Sequence, residues 1–168
     1  MFFPDLYYDS VYEIPYGELW DKNIRFLIFD LDNTLAPYDA ARPPAKAAAL
    51  MKRLIKNGFK VCLLTNNTRK RINVFNEHLN LPTVHGAMKP LTRGVNRAIG
   101  LLGADRDGTA IIGDQIFSDV WAGNNAKIMS ILVKPVSKKD IVTVRWKRLL
   151  EKPVLGSYLK KAGKRETS

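Results

Sequence analysis

Short blocks of apolar residues alternate with longer mixed segments through the middle of this chain. Runs of four to six mainly apolar residues predict buried strands at positions 25–29, 59–64, 109–112 and 128–133, with a shorter extended piece at 83–85. Each run is followed by polar residues, glycine or proline, which are typical of turns. The runs are continuous rather than alternating, so the pattern predicts strands that are covered on both faces.

The segments between these runs carry apolar residues at helical spacing. Three such stripes each predict a helix, and a further short helix is predicted at 118–124. The stripes are Ala47, Leu50, Leu54 and Ile55; Ile72, Phe75 and Leu79; and Leu91, Val95 and Ile99. Strands that alternate with amphipathic helices predict an α/β fold, a doubly wound parallel sheet with helices on both faces. In such sheets ligands bind beyond the carboxyl ends of the strands, so functional residues are expected just after each strand.

A length of 168 residues favours a single domain, with a core over about 24–134 and two distinct ends. The N-terminal segment 1–23 is aromatic and acidic, and we expect it to pack on the core or to face a partner. The C-terminal segment 135–168 is basic, and its pattern predicts helices at 141–151 and 154–161 that Pro153 interrupts. The pattern leaves open whether this segment packs on the core, through the stripe Ile141, Val144, Leu149 and Tyr158, or docks on a membrane.

The formal net charge of +11 is unevenly distributed along the chain. Residues 1–21 carry five acidic and no basic residues, residues 22–133 carry 16 basic and 8 acidic residues, and residues 134–168 carry 11 basic and 3 acidic residues. The excess favours an anionic partner: a phosphorylated substrate, an acidic lipid surface or nucleic acid. Nucleic acid is disfavoured, since no RNA-reading aromatic motif accompanies the charge.

The remaining composition, 46% hydrophobic and 26% charged, is that of a globular protein. No apolar run approaches the ~20 residues needed to cross a membrane, and none is typical of a secretory signal. Cys62, the one cysteine, lies in a predicted strand and is expected to be a small buried residue. We expect a cytoplasmic protein, with a peripheral position on the inner face of the membrane as the alternative, and the sequence favours no oligomeric state.

The residues that follow the predicted strands include the candidate catalytic and metal-binding residues. Asp30 and Asp32 come directly after the strand at 25–29, with Thr34 two residues further on. Because side chains alternate along an extended chain, both carboxylates project from the same face. Such a pair suits Mg²⁺ binding, or a division in which one carboxylate attacks and the other moves a proton. A polar turn after a core strand is the alternative for this motif taken alone.

Further polar residues follow the later strands in a fixed order. Thr65 and Asn66 end the second strand, Lys89 lies in Ala-Met-Lys-Pro, and Asp114 and Asp119 lie in Gly-Asp-Gln-Ile-Phe-Ser-Asp. An acidic pair, a hydroxyl, a lysine and a second acidic pair, in this order, resemble the four motifs of the haloacid dehalogenase-like (HAD) phosphatases. The resemblance covers the predicted core and implies a HAD-like fold and phosphatase activity.

Phosphate monoesters are inert, so a site must supply a nucleophile, charge neutralisation and a proton for the leaving oxygen. We expect Asp30 to be the nucleophile, forming an aspartyl-phosphate, and Asp32 to protonate the leaving oxygen and later to accept a proton from water. Thr65, the backbone N–H of Asn66 and the Lys89 amine would hold the phosphoryl oxygens.

A metal site is expected beside these residues. Asp30 and Asp114 would give side-chain oxygens to Mg²⁺, and the family resemblance implies the backbone carbonyl of Asp32 as a further ligand. Asp119 is expected to orient Lys89 or a metal-bound water, with Thr34 in a supporting position. His85, near Lys89 in the chain, is a further candidate for a substrate contact.

More of the chain resembles the YqeG-type HAD phosphatases of subfamily IIIA. The matching stretches are Phe-Phe-Pro-Asp at 2–5, Asp-Leu-Asp-Asn-Thr-Leu at 30–35, Asn-Asn-Thr-Arg-Lys-Arg at 66–71 and Ile-Gly-Asp-Gln-Ile-Phe-Ser-Asp-Val at 112–120. That family is similar to the phosphatidylglycerophosphate phosphatases. The resemblance therefore implies an anionic phospholipid substrate, phosphatidylglycerophosphate, which would be dephosphorylated to phosphatidylglycerol.

The motif spacing predicts an enzyme without a large cap domain. Positions 34–59 have room for a loop and one helix, and positions 65–89 for one helix and a short extended stretch. An open site suits a phosphate displayed on something large, such as a lipid or a macromolecule. Two alternatives remain: a phosphatase acting on a soluble sugar phosphate or a nucleic-acid end, and a basic nucleic-acid-associated binding protein with a vestigial site.

Overall fold

The computed structural model describes residues 2–40, 42–137 and 150–161. Its strands are β1 (Leu6–Tyr8), β2 (Phe26–Phe29), β3 (Lys60–Leu64), β4 (Thr83–Val84), β5 (Thr109–Gly113) and β6 (Met129–Val133). They form one parallel sheet in the order β1-β6-β5-β2-β3-β4. The four longer predicted strands are confirmed, each displaced by one residue at one end.

Helices cover both faces of the sheet. They are α1 (Tyr16–Asp21), α2 (Ala45–Lys56), α3 (Arg69–Asn76), α4 (Thr92–Leu102), α5 (Trp121–Ala126) and α6 (150–161), and a π-helical turn at Ile116–Val120 precedes α5. In β2, Leu27 and Phe29 point to the side covered by α2 and α3, whereas Ile28 points to the side covered by α4 and α5. This confirms the α/β class and the two apolar layers that continuous strands require.

The N-terminal segment packs on the core through a short strand. Leu6–Tyr8 pair in parallel with β6, and the register aligns Leu6 with Ile131. Asp5 anchors this pairing, because its Oδ2 accepts hydrogen bonds from the backbone N–H of Ser130 at 2.7 Å and from the Ser130 hydroxyl at 2.9 Å. The sheet therefore extends to residues outside the stretch 24–134 that the motifs delimit.

The C-terminal segment differs from the prediction at Pro153. Residues 150–161 are continuously helical, so the predicted interruption at Pro153 is wrong. Proline removes one N–H donor but holds φ near the helical value, and the Pro153 carbonyl accepts a hydrogen bond from the Ser157 hydroxyl at 2.9 Å. Most of the predicted helix 141–151, with Ile141, Val144 and Leu149 of its stripe, lies outside the described residues.

The connections beyond the carboxyl ends of the strands contain loops and single helices. Between β2 and β3 the described residues form a loop and α2, and between β3 and β4 they form α3 with its flanking turns. No large cap domain is present in the part of the chain that the structure describes. Within that part, too, none of the helices has the length and apolar character needed to cross a membrane.

Candidate active site

Asp30 lies where the strand order reverses. From β2 the chain passes to β3 and β4 on one side of the sheet, whereas β5 and β6 lie on the other. The Asp30 backbone N–H donates to the carbonyl of Ile112 in β5 at 2.9 Å, which holds the start of the loop against the neighbouring strand. Ligands of open α/β sheets bind at this switch point, beyond the carboxyl ends of the strands.

An open cavity of about 270 Å³ occupies this edge. It is lined by Asp30, Asp32, Asn33, Tyr38, Thr65, Asn66, Asn67, Lys89, Gln115 and Ser118. Every one of these residues follows the carboxyl end of a strand, as parallel strands require. Each lining residue carries a polar group, and the lining includes residues from the stretches of all four sequence motifs, with Gln115 and Ser118 from the fourth.

Four buried charged residues and one buried threonine form a connected cluster in the site, here called the floor: Asp30, Thr34, Lys89, Asp114 and Asp119. Lys89 Nζ lies 2.5 Å from Asp30 Oδ1 and 2.5 Å from Asp119 Oδ1. The Thr34 hydroxyl lies 3.0 Å from Asp30 Oδ2 and 3.2 Å from Asp114 Oδ1, so its single proton is shared between the two carboxylates. Each of the five residues is at most 6% exposed.

Local backbone geometry sets these contacts. Asn33 adopts a φ of 62°, a left-handed conformation that asparagine tolerates better than most residues, and this turns the chain so that Thr34 returns towards Asp30. Gly113 ends β5 where a Cβ would lie 2.2 Å from Asp119 Cγ. Only glycine leaves room for the Asp119 carboxylate, which also accepts the backbone N–H of Gln115 at 3.1 Å.

Asp32 and the three side chains that hold it, Thr65, Asn67 and Arg71, form a second part of the site, here called the wall. Asp32 Oδ1 accepts from Arg71 Nε at 3.1 Å and also lies 3.1 Å from Arg71 Nη2. Asp32 Oδ2 accepts from Asn67 Nδ2 at 3.2 Å and from the Thr65 hydroxyl at 3.4 Å. Both oxygens of this carboxylate are therefore held by side chains from the loop after β3 and from α3.

The pKa values of Lys89 and Asp119 in the floor and of Asp32 in the wall are all raised. Burial alone would lower the pKa of Lys89, but the Asp119 and Asp30 carboxylates outweigh it and raise that pKa, so the amine is charged. Burial raises the pKa of Asp119 in spite of the opposing charge of Lys89. The pKa of Asp32 is also raised, by burial and then by the nearby Asp30, while Asn67 and Arg71 counteract part of the rise.

The floor fits a hard cation. Asp30, Asp114 and Asp119 each place a carboxylate oxygen within 4.8 Å of the others. Oxygen ligands of this kind are those that Mg²⁺ prefers, and the Lys89 amine contacts two of the three carboxyl groups, those of Asp30 and Asp119. The sequence names Asp30 and Asp114 for this purpose, whereas the grouping of Asp119 with them becomes visible only in the structure.

The structure also places the remaining candidates. The Asn66 side chain holds the Lys89 backbone, accepting from the Lys89 N–H at 2.8 Å and donating to the Lys89 carbonyl at 3.3 Å. His85 is half-buried and is not among the described residues that line the cavity. Sequence reasoning missed the cavity residues Asn33, Tyr38, Asn67, Gln115 and Ser118, and it missed Arg71 behind Asp32.

Known proteins share these features. A family model described as "Hydrolase: haloacid dehalogenase-like hydrolase" matches residues 36–127. The "Probable phosphatase YqeG" of Bacillus subtilis (strain 168) is 32% identical over 162 residues, which cover 96% of this chain and 94% of that protein.

Solved structures share the fold at low sequence identity. The cobalt-bound deoxy-D-mannose-octulosonate 8-phosphate phosphatase of Haemophilus influenzae matches with a TM-score of 0.56 and 17% identity, over 68% of this chain and 70% of that chain. The 3-deoxy-D-manno-octulosonate 8-phosphate phosphatase of Moraxella catarrhalis, in complex with magnesium ion, phosphate ion and a KDO molecule, matches with a TM-score of 0.50 and 16% identity, over 60% and 64% of the two chains. These matches bear on the fold.

Proposed function

The chain belongs to the haloacid dehalogenase-like hydrolases and is a phosphatase of that superfamily, and we propose that it hydrolyses phosphate monoesters through an aspartyl-phosphate on Asp30. One observation carries the proposal. Asp30 and Asp32 line the same cavity, but Asp30 contacts the charged Lys89 whereas Asp32 is held by Arg71 and Asn67. The two carboxylates therefore suit two different roles.

In the first step a carboxylate oxygen of Asp30 forms a bond to phosphorus while the bond to the leaving oxygen breaks. Asp32 gives its proton to that oxygen, and the raised pKa of Asp32 favours the protonated form that this step needs. In the second step Asp32 takes a proton from water as the water attacks phosphorus, and Asp30 is released. Phosphate and alcohol are the products.

The other site residues stabilise the transferred group. Thr65 and Asn66 line the cavity, where the Thr65 hydroxyl and the Asn66 backbone N–H would hold phosphoryl oxygens, and Lys89 would bring a positive charge to a buried position where charge interactions are strong. Asp119 holds the Lys89 amine in place through their contact at 2.5 Å. Lys89 thus serves as part of the catalytic floor and as a phosphate ligand.

Mg²⁺ is the proposed cofactor. Asp30 and Asp114 would hold it by their side chains and Asp32 by its backbone carbonyl, with Asp119 close enough to contribute. When bound, the ion would offset the repulsion between an anionic nucleophile and an anionic phosphate.

For the substrate we propose an anionic phospholipid phosphate, phosphatidylglycerophosphate, met at a membrane surface. Two features support a large, surface-presented substrate: the cavity is open, and no large cap covers it within the described residues. The basic residues 134–168 add charge complementarity, and Lys160 and Lys161 of α6 are exposed. The same open cavity admits the phosphate of a soluble sugar phosphate, which is the second candidate.

A panel of phosphate esters separates these candidates. Purified protein with Mg²⁺ is given phosphatidylglycerophosphate in vesicles, soluble sugar phosphates and oligonucleotides with terminal phosphates, and phosphate release is measured. We expect the highest kcat/KM for the vesicle substrate. A preference for a sugar phosphate would replace the lipid proposal, and no release from any ester would contradict the phosphatase mechanism itself.

A further inference from the structure

Asp32 is held more firmly than a solvent-facing carboxylate at a cavity rim. Arg71 brings two guanidinium nitrogens to Oδ1, both at 3.1 Å, while Asn67 and Thr65 reach Oδ2. The Asp32 and Arg71 side chains are only 15% and 13% exposed. Charge-assisted hydrogen bonds from a planar guanidinium fix the direction of a carboxylate as well as its position.

Arg71 is itself fixed by its surroundings. It lies in the first turn of α3, where its backbone N–H donates to the Thr68 hydroxyl at 3.4 Å. Its Nη2 also donates to the carbonyl of Pro37 at 3.5 Å, in the loop that follows Thr34. Arg71 therefore connects α3, the Asp32 carboxylate and the loop after the first motif.

Arg71 acts from behind the carboxylate. The described residues that line the cavity include Asp32 but not Arg71, so Arg71 contacts the cavity lining through Asp32. Its neighbours Arg69 and Lys70, on the same turn of α3, are exposed to solvent. Of these three consecutive basic residues, Arg71 is the one whose guanidinium contacts Asp32.

We infer that Arg71 is a positioning residue, whose guanidinium holds the Asp32 carboxyl group in the orientation that delivers a proton to the leaving oxygen. The inference rests on the proposed function and adds to it a residue that no sequence motif assigns to the chemistry. It concerns orientation, so it predicts a specific kinetic signature.

The signature follows from the leaving group. When the bond from phosphorus to the leaving oxygen breaks, an alkoxide must receive the proton of Asp32, whereas p-nitrophenolate is stable enough to leave without it. The ratio kcat/KM reports the steps up to release of that first product and excludes hydrolysis of the phosphoenzyme. Loss of Asp32 orientation should therefore lower kcat/KM for alkyl phosphates much more than for p-nitrophenyl phosphate.

The experiment compares Arg71→Ala and Arg71→Lys with Arg69→Ala as a matched control on the same helical turn. Each is assayed on p-nitrophenyl phosphate and on an alkyl phosphate that the wild type hydrolyses. We expect Arg71→Ala to lower the alkyl-to-aryl ratio of kcat/KM by roughly tenfold or more, since general acid catalysis contributes about 10²–10⁴-fold. Arg71→Lys should recover part of the ratio, because it keeps the charge but not the planar pair of donors. Arg69→Ala should leave the ratio unchanged.

An equal loss on both substrates would overturn the inference and leave Arg71 with a purely structural role. Circular dichroism and thermal melting check that each variant is folded. If Arg71→Ala does not fold, Arg71→Lys decides, and an unaltered ratio in that variant overturns the inference. Absence of wild-type activity on every phosphate ester is a different result, because it would contradict the proposed function and not the role of Arg71 within it.

Discussion

The floor and the wall of the site hold two carboxylates that are only two residues apart and yet differ in almost every contact. Asp30, in the floor, lies between a lysine amine and a threonine hydroxyl among other buried carboxyl groups. Asp32, in the wall, has a guanidinium and an amide at the mouth of an open cavity. Strand alternation thus brings two identical carboxyl groups to one site, while the helices and loops that follow determine which contacts each carboxyl group makes.

The charge balance of the two parts also differs. In the floor, Lys89 Nζ lies 2.5 Å from the carboxylates of Asp30 and Asp119, and Asp114 adds a third carboxylate oxygen within 4.8 Å of theirs, whereas in the wall the Asp32 carboxyl group faces the Arg71 guanidinium. Three carboxylate oxygens this close together suit a hard cation, whereas the contacts of Asp32 fix the direction of a single carboxyl group. On this comparison, floor residues should control phosphoryl transfer for every substrate, and the pair of Asp32 and Arg71 in the wall should control proton delivery.

The largest effect is expected from Asp30→Asn. An amide is a poor nucleophile, so phosphate release should fall by roughly a thousandfold or more, as when other catalytic nucleophiles are removed. The loss should be alike for aryl and alkyl phosphates, because no bond to phosphorus forms. The fold should persist, since Asn has the same shape and Lys89 retains Asp119 at 2.5 Å. Unchanged turnover in a folded variant would contradict the covalent mechanism.

Metal removal should have the next largest effect. EDTA should stop phosphate release and added Mg²⁺ should restore it, because the floor carboxyl groups and the phosphate otherwise repel one another. Differential scanning fluorimetry gives an independent reading: Mg²⁺ should raise the Tm of the wild type, since it binds the folded state, and should raise it less in Asp114→Asn. Full activity in metal-free buffer would contradict a metal-binding role for Asp30, Asp114 and Asp119.

The floor could be predicted from the sequence because its residues follow the strands directly. Once β2 and β5 are recognised as neighbouring parallel strands, Asp30 and Asp114 must meet at one edge of the sheet. Thr34 and Asp114 are 80 residues apart in the chain, and the order of the strands in the sheet brings them into contact. The hydrophobic pattern thus determines both the sheet and the position of the buried charges.

The wall could not be predicted in the same way. Arg71 reaches Asp32 only because α3 begins where Thr68 caps it, and a shift of one residue would turn the guanidinium away from the site. The one available signal was the position of Arg71 within the Asn-Asn-Thr-Arg-Lys-Arg stretch, which by itself does not distinguish it from Arg69. Side-chain direction at a helix start depends on the cap and on tertiary contacts, which periodicity does not report.

The N-terminal segment shows the same limit in the fold. Its three-residue strand Leu6–Tyr8 is too short to give a periodic signal, and it is anchored by contacts of Asp5 with Ser130, 125 positions away in the sequence. The Phe-Phe-Pro-Asp stretch therefore includes a residue that attaches a strand to the edge of the sheet. Among the described residues, its aspartate lies away from those that line the cavity.

The smallest effect, and the sharpest comparison, is expected from Thr34→Val. Thr34 is fully buried, and valine fills nearly the same space without the hydroxyl that lies between Asp30 and Asp114. A hydrogen bond to a charged group is worth about 1.5–3 kcal/mol, so kcat/KM should fall by roughly 10- to 100-fold. Because Thr34 belongs to the floor, the fall in kcat/KM should be equal for aryl and alkyl phosphates, in contrast to the unequal losses expected at Arg71.

Thr34→Ser is the control, because it keeps the hydroxyl, and its kcat/KM should stay close to that of the wild type. If Thr34→Val instead slowed the alkyl phosphate selectively, the floor would also control proton delivery, and the division between the two carboxylates would no longer hold.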